Sequence, residues 1–279
     1  MLLTIEIPGG PNITSIGGFL LTWHGLFTAL GILAGVRIAL SLAKVTGYDY
    51  DDAYALALVG VPSGIIGARL LYVWEKGIWD PGEIIALNEG GISIWGGILG
   101  GVGGALAFGL WKHYPVGRGL DIGAAGLIMG QAIGRLGDLV NGEHLARATD
   151  LPWGVIYTNQ DSPAFAHSIA VGAHHPATTY ELLGDVVIFG VLLYVLFRVF
   201  WRRPGLTFFV YLVSYAVMRF FLTYTRVDSS ETFLFDLRVP QLVSVLVVLA
   251  SIPAIWYFAK QPPIEGPAPT LGRVPVLRR

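Results

Sequence analysis

Apolar residues in this chain fall in long runs separated by short polar stretches. Seven runs stand out, at about residues 16–43, 53–74, 91–111, 120–140, 178–200, 205–224 and 240–258. Wound as a helix at about 1.5 Å per residue, each reaches across the ~30 Å of bilayer hydrocarbon. The pattern predicts an all-α integral membrane protein with seven transmembrane helices. The long polar connection at 141–176 is expected to form a small extracytoplasmic head between helices 4 and 5, with a short strand around Trp153, Val155, Ile156 and Tyr157. Residues 1–260 are read as one membrane domain, and the Pro-rich stretch 261–279, basic at its end, as a flexible cytoplasmic tail.

Composition agrees with an apolar solvent. Charged residues make up 13% of the chain and apolar residues 54%, against about 25% charge in soluble domains. The formal net charge is −1, so charge gives no support to nucleic acid as a partner. There is no cysteine, which excludes disulfides, thiolate metal sites and a cysteine nucleophile. The first basic residue is Arg37. A cleavable leader opens on basic residues, so the first apolar run is expected to remain as a span.

Basic residues set the expected orientation. One set of loops carries ten: Lys44, Lys112, Arg118, Arg198, Arg202, Arg203, Lys260, Arg273, Arg278 and Arg279. The opposite set carries four, Lys76, Arg147, Arg226 and Arg238. The richer set is expected inside, with the N-terminus extracytoplasmic and the C-terminus cytoplasmic. The glycines of the third run (Gly96, Gly97, Gly100, Gly101, Gly103, Gly104) form a close-packing face rather than a phosphate loop, because no Lys-Ser/Thr follows them.

Arginines inside the spans carry the chemistry. Arg37 sits near a helix end and can snorkel. Arg69, Arg135 and Arg219 fall at similar depth in spans two, four and six, and an intramembrane arginine is costly unless paired or facing water. One reading is a shared polar cavity, where guanidinium forks hold a phosphate. The other is a structural ion-pair network with Asp138, Glu143 or Glu181. Arg135 and Asp138 lie one turn apart, with Asn141 and Glu143 just beyond. Tyr215 lies one turn before Arg219, and Arg226 about two turns after it. His175, beside Pro176, enters span five as either a chemical group or a cap.

Residues 134–143, Gly-Arg-Leu-Gly-Asp-Leu-Val-Asn-Gly-Glu, resemble the signature of the prolipoprotein diacylglyceryl transferase family. So do residues 149–155, the pairs His175-Pro176 and Tyr180-Glu181, and Tyr215 to Arg219 with Arg226 and Asp228 beyond. Residues 90–97 and Trp23-His24-Gly25-Leu26 resemble the family's third- and first-helix motifs, so the likeness covers about 16–260. It implies transfer of the diacylglyceryl group of phosphatidylglycerol to the lipobox cysteine of a preprolipoprotein, releasing glycerol 1-phosphate at the cell membrane, with no metal or cofactor. It implies that Arg135 and Arg219 hold the lipid phosphate, and that Asn141, Glu143 and Tyr215 line the site. Three positions depart from the family pattern: Trp95 stands where a histidine is usual, His24 where a tyrosine is, and Asp138 where an asparagine is.

An indole cannot take up a proton, so His24 is expected to replace the missing histidine as base for the thiol. The candidate catalytic residues are Arg135, Arg219 and His24. The candidate substrate-binding residues are Arg135, Asp138, Asn141, Glu143, Tyr215, Arg219, Arg226 and His175. Competing readings are a related transferase with another acceptor and a transporter of an anionic solute; a retinal photoreceptor is disfavoured because Lys260 lies beyond the last span.

Overall fold

The computed structural model describes residues 4–17, 19–85, 91, 93–228, 232–234 and 236–265. The N-terminal stretch forms strand β1 (Ile5–Ile7) and a hairpin of β2 (Asn12–Ile16) and β3 (Phe19–Thr22). The expected first span therefore starts late: residues 16–22 are strand and turn. Helix α1 (Trp23–Thr46) begins where the Thr22 hydroxyl accepts from the Gly25 amide at 3.0 Å, and Gly47 ends it in the left-handed conformation. Helix α2 (Tyr50–Lys76) is capped by the Asp49 carboxylate and ends at Gly77. A short helix α3 (Pro81–Ile85) precedes α4 (Ile94–Trp111) and α5 (Val116–Asn141).

After α5 come strand β4 (Val155–Tyr157) and the short helix α6 (Phe165–Val171). The strand expected near Trp153 is thus β4, and it pairs in parallel with β1. Helix α7 (Ala177–Tyr194) runs on into a π-helical turn, Val195–Val199. Helix α8 (Leu206–Leu222) ends in a 3₁₀ turn, and strands β5 (Thr232–Leu234) and β6 (Leu237–Arg238) lead into α9 (Val239–Lys260). The tail expected over 261–279 lies outside the described residues from 266 onward.

Five helical segments are long and apolar enough to cross a membrane: Trp23–Thr46, Tyr50–Lys76, Ala177–Val199, Leu206–Thr225 and Val239–Lys260. The apolar stretch Trp95–Trp111 is shorter, and α5 carries Arg118, Asp121, Arg135 and Asp138 along its 26 residues. Large apolar side chains such as Leu33, Leu58, Leu99, Val187 and Trp256 point away from the protein on these helices. A belt of that kind belongs against lipid, not water. The chain is a mostly helical, multi-pass membrane protein.

Close helix pairs form through glycine. On the α1–α5 pair, a Cβ added at Gly35 would lie 2.7 Å from the Gly126 carbonyl oxygen, and Gly31 meets Gly130 in the same way. On the α2–α4 pair, Gly60, Gly64 and Gly67 face Gly96, Gly97, Gly100 and Gly101. Gly103 has open space around it, so the expected glycine face of the third span does not include it. Helices α5, α7 and α8 share a core of Ala124, Ile128, Ile188, Leu192 and Tyr211. The start of α1, the ends of α5 and α8 and the start of α7 meet at one end of the bundle.

Candidate active site

Glu181, one turn into α7 and 1% exposed, is the fixed point of that end. Three guanidinium groups converge on its carboxylate. Arg135 Nη2 of α5 lies 2.8 Å from Oε2. Arg226 Nη1 lies 3.0 Å from Oε1, and Arg219 Nη1 of α8 donates to the same oxygen. A lone buried carboxylate is strongly disfavoured, and so is a lone buried guanidinium. Their convergence explains why each side chain is tolerated at this depth.

Asp138 is the second hub. Its Oδ2 accepts from Arg135 Nη1 at 2.7 Å and lies 3.4 Å from His144 Nε2. Its Oδ1 lies 2.7 Å from His24 Nδ1. Gly137 allows this contact: a Cβ there would sit 2.8 Å from the His24 Cα, so the start of α1 rests directly on α5. With Nδ1–H donating to Asp138, neutral His24 keeps the Nε2 lone pair for a proton. No group among the described residues bonds to that nitrogen. Asn141 supports the arrangement, accepting from the His24 amide at 3.3 Å and donating to Glu143 at 3.1 Å. Gly142, left-handed with φ 79°, closes α5, and a Cβ there would run into the Tyr157 ring and Ser162.

A strand-like pairing brings in the remaining groups. The Val227 amide donates to the Leu145 carbonyl and the Arg147 amide to the Thr225 carbonyl, setting Arg226 and Asp228 against His144. Arg238 secures the same segment through the carbonyls of Thr223 and Arg226. His144 has φ 68°, in the left-handed region that few non-glycine residues adopt. Its Nδ1 lies 2.6 Å from Arg226 Nη2 and 3.3 Å from Asp228 Oδ2. Burial opposes a charge on His144, but its hydrogen bonds to Asp138 and Asp228 outweigh that and hold its pKa above the ordinary value. Burial likewise works against ionised Asp228, yet bonds from His144 and Arg226 hold its carboxyl well below the usual range.

The structure thus joins Arg135, Arg219, Arg226, His24, Asp138, Asn141 and Glu143. Tyr215 stands one turn before Arg219, within electrostatic reach of Arg135 and Glu181. One expectation needs correction. The described hydrogen bonds of Arg69 lie elsewhere: they reach the carbonyls of Ile84, Glu83 and Gly91, where it fastens the α2–α4 connection. His175 stands apart from the arginine cluster. It meets the Tyr180 hydroxyl at 3.2 Å, which also accepts from Trp153, because the residues before Pro176 run along β4 and away from the cluster. Trp95 is 49% exposed.

The ion-pair network expected from the sequence is present. The arginines are paired with Glu181 and Asp138, yet Nε and Nη2 of Arg219 have no acceptor among the described residues. Sequence reading missed His144, which no spacing marks, and did not single out Asp185. Asp185 lies one turn beyond Glu181, fully buried, and its two carboxylate oxygens have no hydrogen-bond partner among the described residues. His24, Asp138 and Glu143 offer ligand atoms within 4.8 Å of one another. The Arg135 guanidinium on Asp138 opposes a cation there, so the donor set suits proton exchange better than a metal.

Residues 11–257 match the family model described as prolipoprotein diacylglyceryl transferase. Among curated relatives, the phosphatidylglycerol–prolipoprotein diacylglyceryl transferase of a Nostoc strain is 33% identical over 269 residues, 94% of each chain. The protein of that name from Gloeobacter violaceus is 34% identical, covering 90% of this chain and 94% of its own. That from Clostridioides difficile is 33% identical, covering 88% and 93%. With the model matched across nearly the whole chain and identity above 30% over that length, the chain belongs to the prolipoprotein diacylglyceryl transferase family.

Proposed function

We propose that this protein transfers the diacylglyceryl group of phosphatidylglycerol to the lipobox cysteine of a preprolipoprotein, releasing glycerol 1-phosphate. The observation that carries the reading is the convergence of Arg135 and Arg219 on one buried carboxylate, with donors of Arg219 left over. A phosphate entering beside Glu181 would take those donors and stabilise the charge that grows on the leaving oxygen. His24, oriented by Asp138, takes the thiol proton, since the thiolate is the nucleophile. Asn141 and Glu143 keep the imidazole in place, and Tyr215 and Arg226 border the headgroup.

The topology that goes with this reading has seven spans, α1, α2, α4, α5, α7, α8 and α9. The arginine cluster is extracytoplasmic, as is a small head formed by residues 141–176 with β1, and the C-terminal tail is cytoplasmic. The excess of basic residues in the loops at the opposite end supports that orientation, as does the need for the site to meet a secreted substrate.

The test uses purified protein, phosphatidylglycerol and a lipobox-cysteine peptide, with the diacylglyceryl adduct read by mass spectrometry. Wild type is expected to form the adduct and Arg135→Ala to lose it. His24→Phe is expected to slow transfer about a hundredfold while lipid binding persists. Unchanged kinetics in His24→Phe would remove the base assignment, and no wild-type adduct would remove the function.

A further inference from the structure

We propose that His144 is the general acid of the transfer, protonating the phosphate oxygen as it leaves. This rests on the transferase reading above. His144 stands between the two charge systems of the site. Nε2 lies 3.2 Å from Arg135 Nη1 and 3.4 Å from Asp138 Oδ2, while Nδ1 lies 2.6 Å from Arg226 Nη2. A phosphate held by Arg135, Arg219 and Arg226 therefore meets this imidazole first. Both of its protonation states have partners. Neutral, Nδ1–H faces Asp228 and Nε2 accepts from Arg135. Protonated, the two N–H groups face Asp228 and Asp138. It occupies a left-handed backbone position that glycine and asparagine adopt more readily.

The chemistry closes on Asp138. The cysteine sulfur pair forms the S–C bond to the glycerol carbon as that carbon's bond to the phosphate oxygen breaks, the bonding pair leaving with oxygen. The thiol proton goes to His24 and the leaving oxygen takes the proton of His144. The proton given up is the one on His144 Nε2; Asp138 then takes the Nδ1 proton of His24 on Oδ1 and passes a proton from Oδ2 to His144 Nε2, and His24 returns to its starting tautomer by exchange with solvent. One proton has moved from sulfur to phosphate, and no other reactant is needed. The groups facing His144 are Arg135 and Asp138 of α5, Glu181 of α7, and Arg226 and Asp228 after α8. The acids among them favour the charged ring, so the acid form persists above the usual range of histidine.

The test compares wild type with His144→Gln, which retains an amide to meet Asp138 and Arg226, on two lipid donors. One is phosphatidylglycerol. The other is a diacylglyceryl sulfate, an anion whose leaving group is so weak a base that it needs no proton. Expected is a loss of about a hundredfold with phosphatidylglycerol, little change with the sulfate, and disappearance of the alkaline fall in the wild-type pH–rate profile. Equal losses on both donors with the alkaline limb retained would make His144 a structural member of the cluster and overturn the proposal. So would an unchanged rate with phosphatidylglycerol. Should the sulfate react with neither protein, the alkaline limb alone decides. Absence of wild-type transfer from phosphatidylglycerol is the separate result that removes the transferase reading.

Discussion

Two helix pairs of this protein are built alike and used differently. Both α2–α4 and α1–α5 close through facing glycines, and each carries an arginine inside the bundle, Arg69 in one and Arg135 in the other. Arg69 spends its donors on three backbone carbonyls of the α2–α4 connection. Those three acceptors are neutral and do not titrate. Arg135 meets Asp138, Glu181 and His144, groups that titrate or exchange partners. Depth in the membrane makes an arginine noteworthy, but its partners decide whether it holds structure or performs chemistry.

The largest expected effect separates an arginine of the charged cluster from Arg69. Arg219→Ala, on the Glu181 side, should lower transfer about a thousandfold with the fold intact. Arg69→Ala should leave turnover per folded molecule unchanged and lower the melting temperature, because three carbonyls lose a charged donor. Rates and thermal melts of the two variants check this, and loss of turnover in Arg69→Ala at an unaltered melting temperature would collapse the comparison.

A smaller effect distinguishes the glycine contacts. Gly67→Ala and Gly137→Ala each press a methyl group on a neighbouring helix, at a cost of about 1–3 kcal/mol. Gly67→Ala should register in thermal melts alone. Gly137→Ala should also slow transfer, because it pushes the backbone of His24 away from Asp138.

The smallest effect lies in the head. His174 is 2% exposed and held below its ordinary pKa by burial and by neighbouring His167. The unfolded chain therefore binds this proton more readily than the folded one. Stability falls as pH drops through the unfolded value of about 6.5. His174→Gln should give a shallower loss of melting temperature between neutral and mildly acidic buffer. An unchanged slope would show that the acid sensitivity of the head arises elsewhere.

Much of this was legible along the chain. Apolar run length marked the helices to within a few residues, except at 16–22, where a hairpin replaces the start of the first span; strand and helix are alike in a short apolar run. The spacing of Arg135, Asp138, Asn141 and Glu143 gave one face of the site. His144 stayed hidden because its partners Arg226 and Asp228 lie more than 80 residues away and reach it through a backbone pairing that no pattern announces. Arg69 misled for the opposite reason: depth along a helix is readable, but the direction a side chain faces across the bundle is not.

Sequence by itself determined the solvent of this protein, the order of its helices, most of the glycine face of its third run and its family, since apolar length, small residues and motif spacing are local properties of the chain. Only the tertiary structure decided which charges meet. It placed Glu181 beneath three arginines, set His24 and His144 on the two oxygens of Asp138, and kept Arg69 and His175 apart from that cluster. Electrostatic pairing acts over a few ångströms between residues far apart in the chain, and inside a bundle those few ångströms fix the chemistry.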